Sequence, residues 1–168
     1  MSEGQSLSAT TDAALDDVQL REAVQFALAQ ASKHGASDAE AAASLSQGLA
    51  VNVRKGELET VEHTRDHGLV VSVYFGQRTG SASTSDYSSS AVEETVQAAC
   101  SIAKFTEEDA CHGLADPERL AKEPVDLDLY HPWRPTVDQA RDLALECEST
   151  ALSTDSRISN SEGASVDT

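Results

Sequence analysis

Apolar positions recur at helical spacing once the chain passes Asp16-Asp17. Leu20, Val24, Ala27, Leu28 and Ala31 share one face, Lys33 and His34 fill the last turn, and Gly35 supplies a carboxy-terminal cap. Two acids at the amino end suit the helix dipole, so the pattern predicts a helix over 16–34. After Ser37-Asp38 the period falls to two. Ala39, Ala41, Ala43 and Leu45 alternate with Glu40, Ala42, Ser44 and Ser46, which predicts a half-buried strand. Gly48 is expected to turn the chain, with a second alternating strand through Val51 and Val53 up to the turn signal Lys55-Gly56. From Glu57 to Arg65 the alternation is poor, since Leu58 and Val61 would face opposite ways, and an exposed or bulged strand is expected. Asp66-His67-Gly68 is expected to turn again. Leu69, Val71, Val73 and Phe75 then oppose Val70 and Tyr74, the pattern of a central strand.

Gly76-Gln77-Arg78-Thr79-Gly80 is a turn signal, followed by a Ser/Thr-rich strand from Ser81 to Ser85. Ser90 with Glu93 forms a capping-box pattern ahead of the face Val92, Val96, Ala99 and Ala103, so a second helix is expected to end near Lys104. All four prolines then fall at 117, 124, 132 and 135, which makes 105–135 largely irregular. Leu127, Leu129, Tyr130 and Trp133 are the residues expected to pin that loop. Thr136 with Gln139 is another capping box, opening a third helix whose face is Val137, Ala140, Ala144, Cys147 and Ala151. A strand is expected over Arg157 to Val166, with the chain stopping within or just beyond it, as if cut from something longer. The fold class is therefore α+β: an antiparallel sheet of four to six strands with about three helices packed on it. Residues 1–15 hold Ser, Thr, Ala and acids without a basic start or an apolar run. They are expected to be a disordered acidic tail ahead of one domain over 16–168, and not a signal peptide.

Composition sharpens this picture. Hydrophobic residues make up 39% of the chain but aromatics only 4%, and alanine supplies much of the rest, so the core should consist of close-packed small side chains. Twelve basic residues against 29 acidic ones give a formal charge of −17. That field repels nucleic acid and anionic membrane and favours solubility and approach to basic surfaces. No stretch approaches the roughly 20 apolar residues of a membrane span. Three cysteines, Cys100, Cys111 and Cys147, are odd in number and unpatterned, which fits reduced thiols and a cytoplasmic location.

Five segments, in order, resemble the amino-terminal region of the PmbA (TldE)-type subunits of the TldD/PmbA metalloprotease family. His34-Gly35-Ala36-Ser37-Asp38-Ala39-Glu40 is similar to the family's "G-A-x-x-A-E" exit from its opening helix, and Arg54-Lys55-Gly56-Glu57-Leu58-Glu59 to the approach to its second long strand. Gly80-Ser81-Ala82-Ser83-Thr84-Ser85-Asp86 resembles its "G-S-A-S-S-T-D" run. Asp126-Leu127-Asp128-Leu129-Tyr130-His131-Pro132 resembles its "D-L-D-L-x-H-P" segment, and Arg157-Ile158-Ser159-Asn160-Ser161-Glu162-Gly163 its strand after the third helix. The resemblance covers about residues 16–168 and implies a longer protein. It implies a heterodimer with a TldD-like subunit that carries zinc on an H-E-x-x-x-H helix with a distant Cys, the Glu acting as general base on metal-bound water. It also implies an unfolded peptide substrate, including microcin precursors and a labile antitoxin, with the PmbA-type subunit as the non-catalytic partner. An older label for the family invokes DNA gyrase, which the charge here does not support.

No histidine of this chain can begin the zinc motif: His34 precedes Gly, His63 Thr, His67 Gly, His112 Gly and His131 Pro. The expectation is therefore no catalytic, cofactor-binding or metal site in this chain, with zinc in the TldD-type partner. His63 and His67 are four apart, but on a strand that spans roughly 13 Å, so two exposed histidines are expected. Cys111-His112 could form a thiolate–imidazole pair, although neighbours rarely face each other and Asp109 would raise the thiol pKa. Cys100 and Cys147 are expected in the core. Gly76 to Gly80 lacks the Lys-Ser/Thr ending of a phosphate loop. The hydroxyls from Ser81 to Ser90 have no positioned base, and Glu107-Glu108-Asp109 is expected to be a solvated loop. Ser81, Ser83 and Ser85 could accept an extended peptide by main-chain pairing. Two other functions compete: a stand-alone acidic protein-interaction module without enzymatic activity, which a stop codon after Thr168 would favour, and a small hydrolase using Cys111 or a serine.

Overall fold

The computed structural model describes residues 3–123, 125–129 and 131–168, with side chains from residue 17 onward. The first helix begins at Glu3 and not near residue 16, so its backbone runs through most of the stretch expected over 1–15 as a disordered acidic tail. Tyr130 lies outside the described residues. The elements run α1 (Glu3–Lys33), β1 (Asp38–Arg54), β2 (Glu57–Phe75), β3 (Arg78–Thr84), α2 (Ser89–Phe105), α3 (Val137–Ser153) and β4 (Ala164–Asp167). The strands form one four-stranded sheet in the order β3-β2-β1-β4, an α+β arrangement as expected. The pairs β1–β4 and β2–β3 are antiparallel. Two compact units share the chain: Met1–Leu45 with Asp66–Lys122, and Ser46–Arg65 with Glu123–Thr168. The long strands β1 and β2 run through both.

In the first unit the buried residues come from two helices and the strand segments beside them. Ala27 and Ala31 of α1 and Val92, Val96, Ala99, Cys100 and Ala103 of α2 join Leu69, Val71 and Val73 of β2. Ala39, Ala41, Ala43 and Ala82 pack around them, so alanine does let the layers approach closely. Each fully buried Val or Leu contributes about 2 kcal/mol by leaving water. α1 ends as its sequence predicts: Gly35 adopts φ 84, and the Ala36 amide donates to the Ala31 carbonyl. β2 is central between β3 and β1, again as predicted. The second unit has its own smaller core of Leu49, Val51 and Val53 from β1, Val166 from β4, and Ala140 and Ala144 from α3.

Several local expectations need correction. Gly48 and Asp66-His67-Gly68 turn nothing; each lies within a continuous strand, which merges the predicted short strands into two long ones. The glycines serve close approach instead. A side chain at Gly48 would meet the Thr168 carbonyl oxygen at 2.7 Å and Thr64 Oγ1 at 2.9 Å, and one at Gly68 would meet Ser44 Oγ at 3.0 Å. Only Gly76 and Gln77 separate β2 from β3, because Phe75 already pairs with Arg78. α2 is capped by Ser88, whose side chain accepts from the Ala91 amide, and not by the Ser90–Glu93 pair. The Thr136–Gln139 capping box is present as predicted. On α3, Cys147 and Ala151 are exposed and Glu148 takes the buried position. The last strand is only four residues, since 157–163 is irregular, with Arg157 turned back onto Asp155 and Gly163 at φ 104. Residues 106–136 contain no helix or strand among those described. The apolar side chains expected to pin them do not: Leu127, Leu129 and Trp133 are 66%, 82% and 56% exposed.

Candidate functional site

The features able to do chemistry fall at three places: the exposed length of β2, the turn after α2, and the Lys55-Gly56 hairpin. β2 is unusual along its first half. Every side chain from Glu57 to His67 is exposed, on both faces of the strand, as the poor alternation there predicts. β3 pairs with β2 only along Leu69–Phe75, so among the described residues no strand covers the other side of 57–67. His63 and His67 lie on this exposed length. The strand continues through both, so they sit roughly 13 Å apart, and the His67 ring packs edge-on against Tyr87 at 5.4 Å and 84°. They form no ligand pair.

After α2, Asp109 engages both Cys111 and His112. Its Oδ1 accepts from the Cys111 amide at 2.9 Å, and its Oδ2 lies 3.8 Å from His112 Nε2. The imidazole therefore faces a carboxylate. Glu108 forms an ion pair with Arg78 at 3.4 Å, on solvated side chains. Cys100 is buried, and burial pushes its thiol pKa up, which makes it inert; Cys147 is exposed.

The hydroxyl cluster is occupied by structure. Ser72 Oγ and Ser81 Oγ share a hydrogen bond of 2.8 Å, Thr84 Oγ1 accepts from the Asp86 amide, and Ser88 caps α2. Two hollows open on the surface, one of about 380 Å³ lined by Asp17, Leu20, Arg21, Val24, Gln25 and Ala43, and one of about 270 Å³ bordered by Arg54 to Glu59. Neither gathers a His, Cys or Ser side chain. Among the described residues no three His, Cys, Asp or Glu side chains converge on a point that could hold a metal ion, so the residues described do not fit zinc. No described helix is long and apolar enough to cross a membrane.

At the third place the turn is as the sequence predicts, and the Glu148 contact with it is what the sequence reading does not contain. Lys55 and Gly56 both have positive φ, 54 and 76, and make the two-residue turn between β1 and β2. Their amides both donate to Glu148, at 2.8 Å each. Those two hydrogen bonds, from Gly56 first and Lys55 second, hold the carboxyl below its ordinary value, with Ser161 and Arg54 adding to the effect. The signal for it was the four-residue step Ala140, Ala144, Glu148, which places an acid in line with two buried alanines. This clasp is structural, since both oxygens are taken by backbone.

Comparison with known proteins supplies what the geometry does not. The sequence profile described as PmbA/TldA metallopeptidase domain 1 matches residues 39–103, which run from β1 to the end of α2. The chain is 51% identical over 147 residues to the metalloprotease PmbA homolog of Haemophilus influenzae, and 48% identical over 147 residues to metalloprotease PmbA of Escherichia coli O157:H7. Those alignments take in 88% and 87% of this chain and 32% of each relative. Among solved structures, one described as a modulator of DNA gyrase from Bacteroides thetaiotaomicron superposes with a TM-score of 0.71 at 25% identity, covering 82% of this chain and 32% of that one. TldE from Thermococcus kodakarensis shares the fold, with a TM-score of 0.63 at 17% identity over 80% of this chain and 30% of that one. The chain belongs to the PmbA/TldD metallopeptidase family and carries its first domain. It spans about a third of the length of the curated relatives it matches.

Proposed function

We propose that this chain is the first domain of a non-catalytic PmbA (TldE)-like subunit in a cytosolic TldD–PmbA zinc metalloprotease complex. The complex processes or degrades unfolded peptides, a microcin precursor and an antitoxin among them. The observation that carries the reading is the 51% identity to a metalloprotease PmbA homolog across most of the chain. In this reading the TldD-like partner holds the zinc and activates water on it, and this chain helps to shape the chamber and dock the partner. The described residues suit that division of labour, because acids such as Glu148, Asp109 and Glu108 are engaged by backbone amides and local ion pairs.

Two strand edges suit an extended substrate. One is β3, at the margin of the sheet with Ser81 and Ser83 exposed, and the other is the open side of β2 from Glu57 to His67. Main-chain pairing at such an edge ignores side-chain identity, as an enzyme acting on unfolded segments requires. The formal charge of −17 supports a protein that contacts neither nucleic acid nor anionic membrane. The test is to express the full-length protein from its native gene with a TldD-like subunit and assay the purified species for zinc and peptide cleavage. A co-purifying pair with zinc and activity dependent on the TldD-like subunit is the expected result. Zinc held by the PmbA-like subunit alone would overturn the assignment.

A further inference from the structure

The stretch 123–135 stands apart from everything the fold explains. It carries Val125, Leu127, Leu129 and Trp133, respectively 77%, 66%, 82% and 56% exposed, within nine residues. Soluble surfaces tolerate single apolar side chains but seldom such a run. The stretch has built-in shape. Asp126 Oδ1 accepts from the Asp128 amide at 2.9 Å, Asp128 is held at φ 48, and His131 Nε2 lies 2.7 Å from the Asp128 carbonyl oxygen. A left-handed aspartate is a local strain that needs a reason.

We propose that Val125, Leu127, Leu129 and Trp133 form a docking strap, covered in the longer polypeptide by the part of that polypeptide lying outside these 168 residues. The inference rests on the reading of the chain as one domain of a longer subunit. Relatives that align with 88% of this chain are about three times its length, so an intramolecular surface of that size is the occupant most available. Tethering gives it a high effective concentration that no separate molecule matches. A second copy is opposed by the repulsion of two chains of charge −17. A passing peptide would leave these side chains in water most of the time. Asp126 and Asp128 alternate with the apolar positions, so the covering surface should be an apolar trough with a basic rim.

Trp133 is the chain's single tryptophan and reports directly on cover. The full-length protein and its Trp133→Phe variant are compared by fluorescence, and the difference spectrum isolates Trp133. Its emission should be blue-shifted in the full-length protein, and its acrylamide quenching several-fold weaker than in the 168-residue chain. Leu129→Ser should lower the thermal midpoint of the full-length protein and leave that of the 168-residue chain unchanged. Equal quenching in the two proteins overturns the proposal. So does protection that appears only as concentration rises, which marks a second copy, or only when a peptide or TldD-like subunit is added. Because partner binding and zinc are assayed separately, an exposed Trp133 in a protein that still forms its complex sinks the strap alone, whereas a native gene ending at Thr168 sinks both readings.

Discussion

Gly80 has no room for a side chain: a Cβ built there would collide with the Ala99 carbonyl oxygen and the Ala103 backbone of α2. Helix and strand touch through bare backbone at this point, so Gly80→Ala must push them apart. We expect it to destabilise the protein by about 2–3 kcal/mol in urea unfolding. Glu148 sets a different constraint. Its side chain is 2% exposed and accepts from both turn amides. Its carboxyl is lowered in the folded state, so its contribution is full above the ordinary value of 4.5 and is lost as pH falls through the depressed folded value. Glu148→Gln should therefore unfold at lower denaturant than the parent near neutrality, and the gap should close at the acid end of the profile. A gap that is constant down to low pH would rule out the ionised clasp. The three thiols divide in the same local terms. Cys111 and Cys147 should react at once with a thiol reagent in the native protein, and Cys100 only on unfolding.

Helix starts are the elements most open to direct test. Ser88→Ala and Thr136→Ala remove the side-chain acceptors that cap α2 and α3, and each should cost about 1 kcal/mol in chemical denaturation. Ser90→Ala should cost much less, because Ser90 is two positions past the cap residue Ser88. Elements of this kind were legible in the sequence wherever periodicity and chemistry agreed. The apolar face of α1, its Gly35 end, the Lys55-Gly56 turn, the Thr136–Gln139 box and the central pattern of 69–75 all appear as predicted. Gly48 and Gly68 misled because a glycine in a strand gives the same signal whether the chain turns or another backbone comes near, and only tertiary packing decides which. The short β4 was overextended because residues 157–163 satisfy their polar groups locally, through Asp155 and Ser161, and need no ladder. Glu148 was missed for a related reason: an acid on a buried helical face is intelligible only once the amides it meets are in place.

At the scale of the molecule, the candidate chemistry dissolves into structure. His63 and His67 are separated along an extended strand, the His112 ring faces the Asp109 carboxylate, and Ser72, Ser81 and Ser88 serve a cross-strand contact and a cap. What is left is an exposed strand edge along Glu57 to His67, exposed apolar side chains at Leu127, Leu129 and Trp133, and a formal charge of −17. We propose that this domain holds no metal and activates no water. The direct measurement is peptide hydrolysis by the purified 168-residue chain, with and without a chelator and with zinc restored. The account predicts no cleavage above background in any arm. Cleavage abolished by the chelator and recovered with zinc, in a preparation free of any second subunit, would contradict it.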